Sequence, residues 1–395
     1  MTHILHFGPG NFFRAHLAEY AFDAGDCEVT AVSLRSGFVR DGLATSGGAY
    51  TLAVQGKPAR IIDVIKRVLV APEDPEAVIT QVASESVQVI SATVTEKGYC
   101  LGADGQLDLT HPDISRDLKT GTPTSFIGYL AFGLARRTSP VTVLSCDNRM
   151  GNGTALATAV RAFCKAAALE ITCDARFPNS MVDRITPATT KALIADFDDP
   201  MAVPCEPFKE WVIEDTFATA RPNWPDVQWV ADVAPHEMRK LRMLNGAHSY
   251  LAYSGVLAGH EFVHQAIADP VLRAGAQALM TEAATTLPQS VQGQAGDYAR
   301  ALIARFDNPH IDHALRQIAM DGTQKLPYRI VDSLRDRAGQ GSSSPALKAA
   351  ISAWISFCRA ETSAGRDLQD PQAQVLARAQ SDEDFLSLIG ARDLN

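Results

Sequence analysis

A chain of 395 residues exceeds the size at which one hydrophobic core usually stops growing, so two domains are expected. Its apolar share of 46% and charged share of 21% suit a globular enzyme and exclude a largely disordered chain. The formal net charge of -9, with basic runs no longer than Arg239-Lys240-Leu241-Arg242, argues against a nucleic-acid partner while leaving room for a locally positive pocket. Seven scattered cysteines without a C-x-x-C pair read as reduced, buried thiols rather than a disulfide framework or zinc finger. With no signal peptide and no uncharged apolar run of membrane-spanning length, the expected setting is the cytoplasm, away from membranes.

In chain order, Thr2–Phe7 is a short apolar strand that ends in Gly8-Pro9-Gly10, and a helix follows from about Phe12 to Ala24. Residues 28–34 have the β-branched alternation of a second strand, and Val87–Val94 and Val141–Ser145 repeat it, each leading into a polar loop. Apolar strands separated by helical segments predict a parallel, Rossmann-like sheet covered on both faces, with ligands beyond the strand C-termini. The stretch Gly37–Ile62 predicts a small antiparallel insertion, followed by a helix or a strand near 61–70. From Pro187 helical periodicity dominates, at roughly 188–197, 240–258, 260–268, 270–283, 295–306, 310–319, 345–360, 370–379 and 382–389. The reading is therefore an α/β chain: a dinucleotide-binding domain over 1–186 and a mainly α-helical substrate-binding domain over 187–395.

The G-x-G after the first strand suits a dinucleotide. Gly8 permits the tight turn and Gly10 lets the backbone approach a pyrophosphate, with Asn11 and Phe12 opening the helix and Arg14 positioned for a phosphate. Phe13 stands where the usual third glycine would be, and the bland alternative is an ordinary strand-to-helix turn. No acid closes the second strand to hold a ribose hydroxyl. Arg35 occupies that region as a partner for a 2′-phosphate, so the cofactor is NAD or NADP.

Four stretches resemble the mannitol dehydrogenase family of polyol-specific long-chain dehydrogenases, which includes fructuronate and tagaturonate reductases. They are Phe7–His16, Ser145–Gly153, Phe177–Pro187 and Lys240–His248, with Thr93–Tyr99 similar to the family's loop near the nicotinamide. The resemblance implies Lys240 as general base or acid, Asn148 and Asn245 steadying the reacting oxygen, and His248 orienting the substrate. It further implies Asp183 as a supporting polar residue, Arg316 and Lys325 as a substrate-contacting pair, and Thr95 at the cofactor. No metal is required, because the nicotinamide carries the electrons.

Helical geometry agrees with this in part. Asn245 and His248 lie three apart on one face, whereas Lys240, five before Asn245, is badly rotated from it on an ideal helix. Gly246 and Ala247 suggest close approach of another element. The chemistry asks for a base at the alcohol proton, and a lysine serves where burial or positive neighbours lower its pKa. Asparagine amides donate to the developing alkoxide without adding charge.

A rival lies in His260-Glu261-Phe262-Val263-His264. H-E-x-x-H on a helix sets two imidazoles on one face for zinc with a glutamate base, as in a zinc-dependent hydrolase, and His310, His313 or Glu282 would have to supply the third ligand. A third reading is a dinucleotide-binding regulator without catalysis. Among substrates, the pairs D-mannonate/D-fructuronate and D-mannitol/D-fructose lead, and Arg316 or Lys325 would bind a carboxylate or hydroxyls.

Overall fold

The computed structural model describes residues 1–394. The first unit is built on strands β1 (Thr2–Phe7), β2 (Cys27–Ser33), β3 (Tyr50–Val54), β4 (Arg60–Ile62), β5 (Ile65–Val70), β6 (Val87–Ala92), β7 (Val141–Ser145), β8 (Ala175–Arg176), β9 (Ser180–Asp183), β10 (Val203–Cys205), β11 (Glu210–Glu214) and β12 (Gln228–Val230). Six of them form one parallel sheet in the order β5-β2-β1-β6-β7-β8. The direction of strand order reverses between β1 and β6, which opens a crevice at their C-terminal ends.

Alternating side chains bury both faces of this sheet. Ile4, Val29 and Leu144 pack with Leu17 and Trp211, while Leu5, Phe7, Ile90 and Val143 pack with Val78, Phe126 and Phe163. The segment near 61–70 is thus a strand, β5, at the sheet edge. The insertion before it contains a short helix, Phe38–Ala44, and the antiparallel pair β3 and β4. The first helix is two pieces, Asn11–Ala15 and Leu17–Ala24, broken at His16.

The chain divides into two units at Val233/Ala234 rather than at residue 187. The reason is pairing: β10 lies parallel to β3, and β11 pairs with β9, so residues 187–233 fold onto the first unit. One helix in this stretch, Lys191–Phe197, has no buried residue, and it accounts for the change of texture after Pro187.

The second unit is helical. Its centre is the helix Gly246–Leu257, buried on nearly every side by Val263–Ala268, Pro270–Ala284, Leu315–Ile318 and Pro345–Ser363. Two segments widen into π-helix: Lys240–Asn245, which leads into the central helix, and Pro327–Val331. Pro327 lacks an N–H and would collide with the carbonyl four residues back, and the wider turn relieves both problems. No helix among the described residues is long and apolar enough to cross a membrane. All seven cysteines carry free thiols, six of them buried.

Candidate active site

In the first unit, the turn after β1 lies at the crevice. Gly8 has φ +89, and a Cβ there would sit 2.3 Å from the Thr93 oxygen, so no other residue fits. A Cβ on Gly10 would meet nothing nearer than the Gly8 oxygen at 4.0 Å, which leaves the Gly10 backbone approachable by a ligand. These features fit a dinucleotide pyrophosphate.

The turn is tied down by a residue that sequence reasoning missed. His6 is fully buried, bonds Ser91 Oγ at 2.8 Å through Nδ1 and Thr93 Oγ1 at 3.1 Å through Nε2, and stacks on Phe13 with ring centroids 3.6 Å apart. Burial pulls its pKa down to about 3, so the imidazole is a neutral bridge between β1 and β6. The stack on Phe13 does the packing that a third glycine does in the usual fingerprint.

Asn11 donates to Thr189 Oγ1 at 3.0 Å and accepts from Arg14 at 2.8 Å. Arg14 is buried, bonds the Met201 carbonyl oxygen, and lies over the Tyr50 ring, so its guanidinium is spent inside the unit rather than offered to a phosphate. Phe12 stacks on His16, and Arg35 is exposed just past the end of β2.

Two loops follow the neighbouring strands β6 and β7. In the first, Thr95 is exposed with φ 65 and ψ 166, a backbone region reserved almost entirely for glycine that costs about 1–3 kcal/mol. In the second, Asp147 is 6% exposed and accepts the Thr95 amide at 2.8 Å, the Tyr99 hydroxyl at 3.1 Å and the Val94 amide at 3.4 Å. Burial outweighs these bonds and pushes its pKa up to about 6. Asn148, next in the chain, is exposed, and Asp183 is buried at the end of β9.

In the second unit the π-turn answers the rotation problem. Its bonds run from residue i to i+5, so Lys240 and Asn245 come onto one face, with His248 three residues farther on. Arg329, on the other π-segment, donates to Ser249 Oγ at 3.1 Å, and that hydroxyl donates to the Asn245 carbonyl oxygen at 3.0 Å. Gly246 admits this crossing, since a Cβ there would stand 3.2 Å from the Arg329 oxygen.

His248 is buried against Phe306 and edge-on to His313, with ring centroids 4.7 and 5.3 Å away, and its Nε2 has no hydrogen-bond partner. Burial first, then His313 and the positive charges of Arg305, Arg329 and Lys240, hold its pKa well below the ordinary imidazole range. A neutral ring with an unpaired buried nitrogen suits a substrate hydroxyl.

Lys325 is half-buried, bonds the Met320 carbonyl oxygen at 2.7 Å, pairs with Asp321 at 3.6 Å, and has its pKa lowered by burial and by Arg329, which places it beside the Arg329 guanidinium. Arg316 is not brought there. It pairs with Glu361, which also holds Arg366, and lines a cavity of about 230 Å³ with Trp354 and Phe357, among whose lining residues Lys240, Asn245 and His248 are absent. Arg329 and Arg305 are residues that sequence reasoning did not pick, and His313 is one it weighed only as a third zinc ligand.

The H-E-x-x-H rival fails on geometry. The helix begins at Val263, while His260 and Glu261 lie in the preceding turn and Phe262 bridges to Ala314, so the two imidazoles do not share a helical face. Among the described residues no group of three or more His, Cys, Asp or Glu side chains is placed to hold a metal ion.

The sequence matches the family models described as the mannitol dehydrogenase Rossmann domain, over residues 2–226, and the mannitol dehydrogenase C-terminal domain, over residues 232–390. The chain belongs to the mannitol dehydrogenase family. Among relatives, the D-mannonate oxidoreductase of Escherichia coli K12 is 39% identical, over 94% of this chain and 83% of that protein. The crystal structure of D-sorbitol dehydrogenase in substrate-free form superposes with a TM-score of 0.89 at 30% identity, covering 99% of this chain and 89% of that one. The ternary complex of Pseudomonas fluorescens mannitol 2-dehydrogenase with NAD and D-mannitol gives 0.79 at 31%, covering 100% and 86%. With this family and fold, the chain is an NAD(P)-dependent oxidoreductase of polyol or sugar-acid substrates, and nothing in either supports a hydrolase.

Proposed function

We propose that this family member interconverts a hexuronate-derived pair of the D-mannonate/D-fructuronate type. The observation that carries the reading is electrostatic: the charges that bear most on His248, from Arg305, Arg329 and Lys240, are positive, and Lys325 adjoins Arg329, so cations outnumber the one acid, Asp321, that faces both Lys325 and Arg329. Such a neighbourhood favours a substrate with a carboxylate over a neutral polyol. The similarity to a D-mannonate oxidoreductase supports it. A second reading, D-mannitol/D-fructose, is favoured by the similarity to two polyol dehydrogenase structures. Both readings take a small molecule as the partner, and a net charge of -9 supports no role for nucleic acid.

In this proposal Gly8, Gly10, Asn11, Phe12, Arg35 and Thr95 hold the dinucleotide, which when bound accepts or supplies the hydride. Lys240 takes the hydroxyl proton of the secondary alcohol and returns it to the carbonyl oxygen in reduction. Asn148 and Asn245 donate hydrogen bonds to that oxygen as charge develops. His248, as a neutral imidazole, orients the neighbouring hydroxyl, Lys325 binds the far end of the substrate, and Asp183 supports the first unit's contribution. Arg316 stays with Glu361 unless substrate displaces that pair.

A spectrophotometric screen of NADH and NADPH oxidation against fructuronate, tagaturonate, fructose and fructose 6-phosphate tests the substrate. Fructuronate is expected to give the highest kcat/KM, and a clear preference for fructose would overturn the carboxylate reading. Lys240→Ala is expected to cut turnover by orders of magnitude while leaving dinucleotide affinity nearly intact, as read by steady-state rates paired with cofactor titration.

A further inference from the structure

We propose that Asp147 is a positioning residue for the reaction, its carboxylate clamping the loop after β6 so that Thr95 keeps its left-handed turn and Asn148 keeps its place. The inference rests on the functional reading above and extends it to a residue with no assigned role.

Three observations carry it. First, the two loops meet because β6 and β7 are neighbours in the sheet, and Asp147 is where they join: the Val94 and Thr95 amides and the Tyr99 hydroxyl all converge on its two oxygens. Second, Thr95 holds a backbone conformation that a threonine does not adopt unaided, and its amide is one of the three donors. Third, Asp147 itself is fixed at the main chain, its N–H donating to Ser145 Oγ at 3.2 Å and its carbonyl oxygen accepting from Asn152 at 3.0 Å.

The side-chain type matters. An ionised carboxylate accepts on both oxygens, whereas asparagine has one acceptor oxygen and would turn an amide donor toward an amide donor. The bonds to this carboxylate come from amides and a phenol, not from a cation, so its charge is held by hydrogen bonding alone. The titratable groups that face it are Tyr99 and Glu96 from the loop and the adjoining Cys146 thiol.

The clamp therefore needs the ionised form. Burial holds the Asp147 pKa at about 6, so acidification through that range converts one acceptor into a donor and frees the turn. Four measurements on the full chain test this. Fluorescence titration of NADH, or of NADPH if the screen prefers it, should show Kd rising as pH falls through the Asp147 range. Asp147→Asn should raise Kd about tenfold at neutral pH and flatten that pH dependence. Tyr99→Phe removes a donor that favours the ionised carboxylate and should move the acid limb to higher pH. Hydrogen exchange of residues 93–99 in the ligand-free protein should quicken in Asp147→Asn.

Wild-type Kd, exchange and acid limb in Asp147→Asn would overturn the proposal. If that variant fails to fold, an unmoved acid limb in Tyr99→Phe overturns it alone. Dinucleotide binding with no sugar turned over would sink the substrate reading and leave the clamp to be decided by titration and exchange.

Discussion

The guanidinium of Arg329 reaches the proposed catalytic helix through Ser249 Oγ, which bonds the carbonyl oxygen of Asn245, and after burial it is one of the charges that depress the pKa of His248. Removing it loosens the residue that is to hold the reacting oxygen. Arg329→Met should lower kcat by about ten- to a hundredfold with dinucleotide affinity unchanged, and Arg329→Lys should recover part of the loss, both read in steady-state kinetics. Arg316 invites the opposite test. The paired arginines Arg366 and Arg316 hold the Glu361 pKa down to about 2, against an ordinary 4.5. A depressed carboxylate pKa contributes stability above the unfolded value that is lost as pH falls toward the folded one. Glu361→Gln should therefore lower the unfolding midpoint at neutral pH and change it little near pH 2, which thermal melts at both pH values will show. Lys240, Asn245 and His248 were legible as a short motif. Arg329 and His6 were not, because their partners stand 80 and 85 residues away and no local spacing marks them.

Among the elements, the π-turn at Lys240–Asn245 is where an ideal-helix reading of the sequence misjudged the backbone of the proposed site. A period of about 3.6 residues puts a fifth neighbour on another face, and only a turn closed by i to i+5 bonds brings it round. Deleting Leu241 should restore an ordinary helix with Lys240 four residues before Asn245 and still on its face, so turnover should persist in part while the far-UV circular dichroism stays that of a folded helical protein. Abolished activity in that variant would show that the wide turn does more than bring the two side chains onto one face. Strands, their parallel order and most helices were readable from apolar patterning. The domain boundary was not, because β10 and β11 are claimed by partners, β3 and β9, that no local pattern announces. The histidine pair at 260 and 264 misled for a related reason: the spacing presumes a helix, and the chain has not yet begun one at His260.

For the whole molecule, stability is coupled to acid through histidines kept neutral by burial. His6 and His16 both fall to about 3 from an ordinary 6.5, and His248 is also well depressed. The unfolded chain binds these protons first, so the stability they contribute is present above pH 6.5 and drains away as pH falls below it. Unfolding midpoints should decline steadily from that pH downward, and replacing His16 with glutamine should make the decline shallower. Asp147 has the opposite sign, since its raised pKa favours the fold in acid even as the loop is released. The helix Gly246–Leu257 has almost no face turned to water. Each of its side chains is fitted to several neighbours at once, so single exchanges there break packing before they alter specificity. Variant libraries seeking new sugars would do better to leave that rod alone and randomise the half-exposed positions around Lys325 and Arg329, where side chains have room to change.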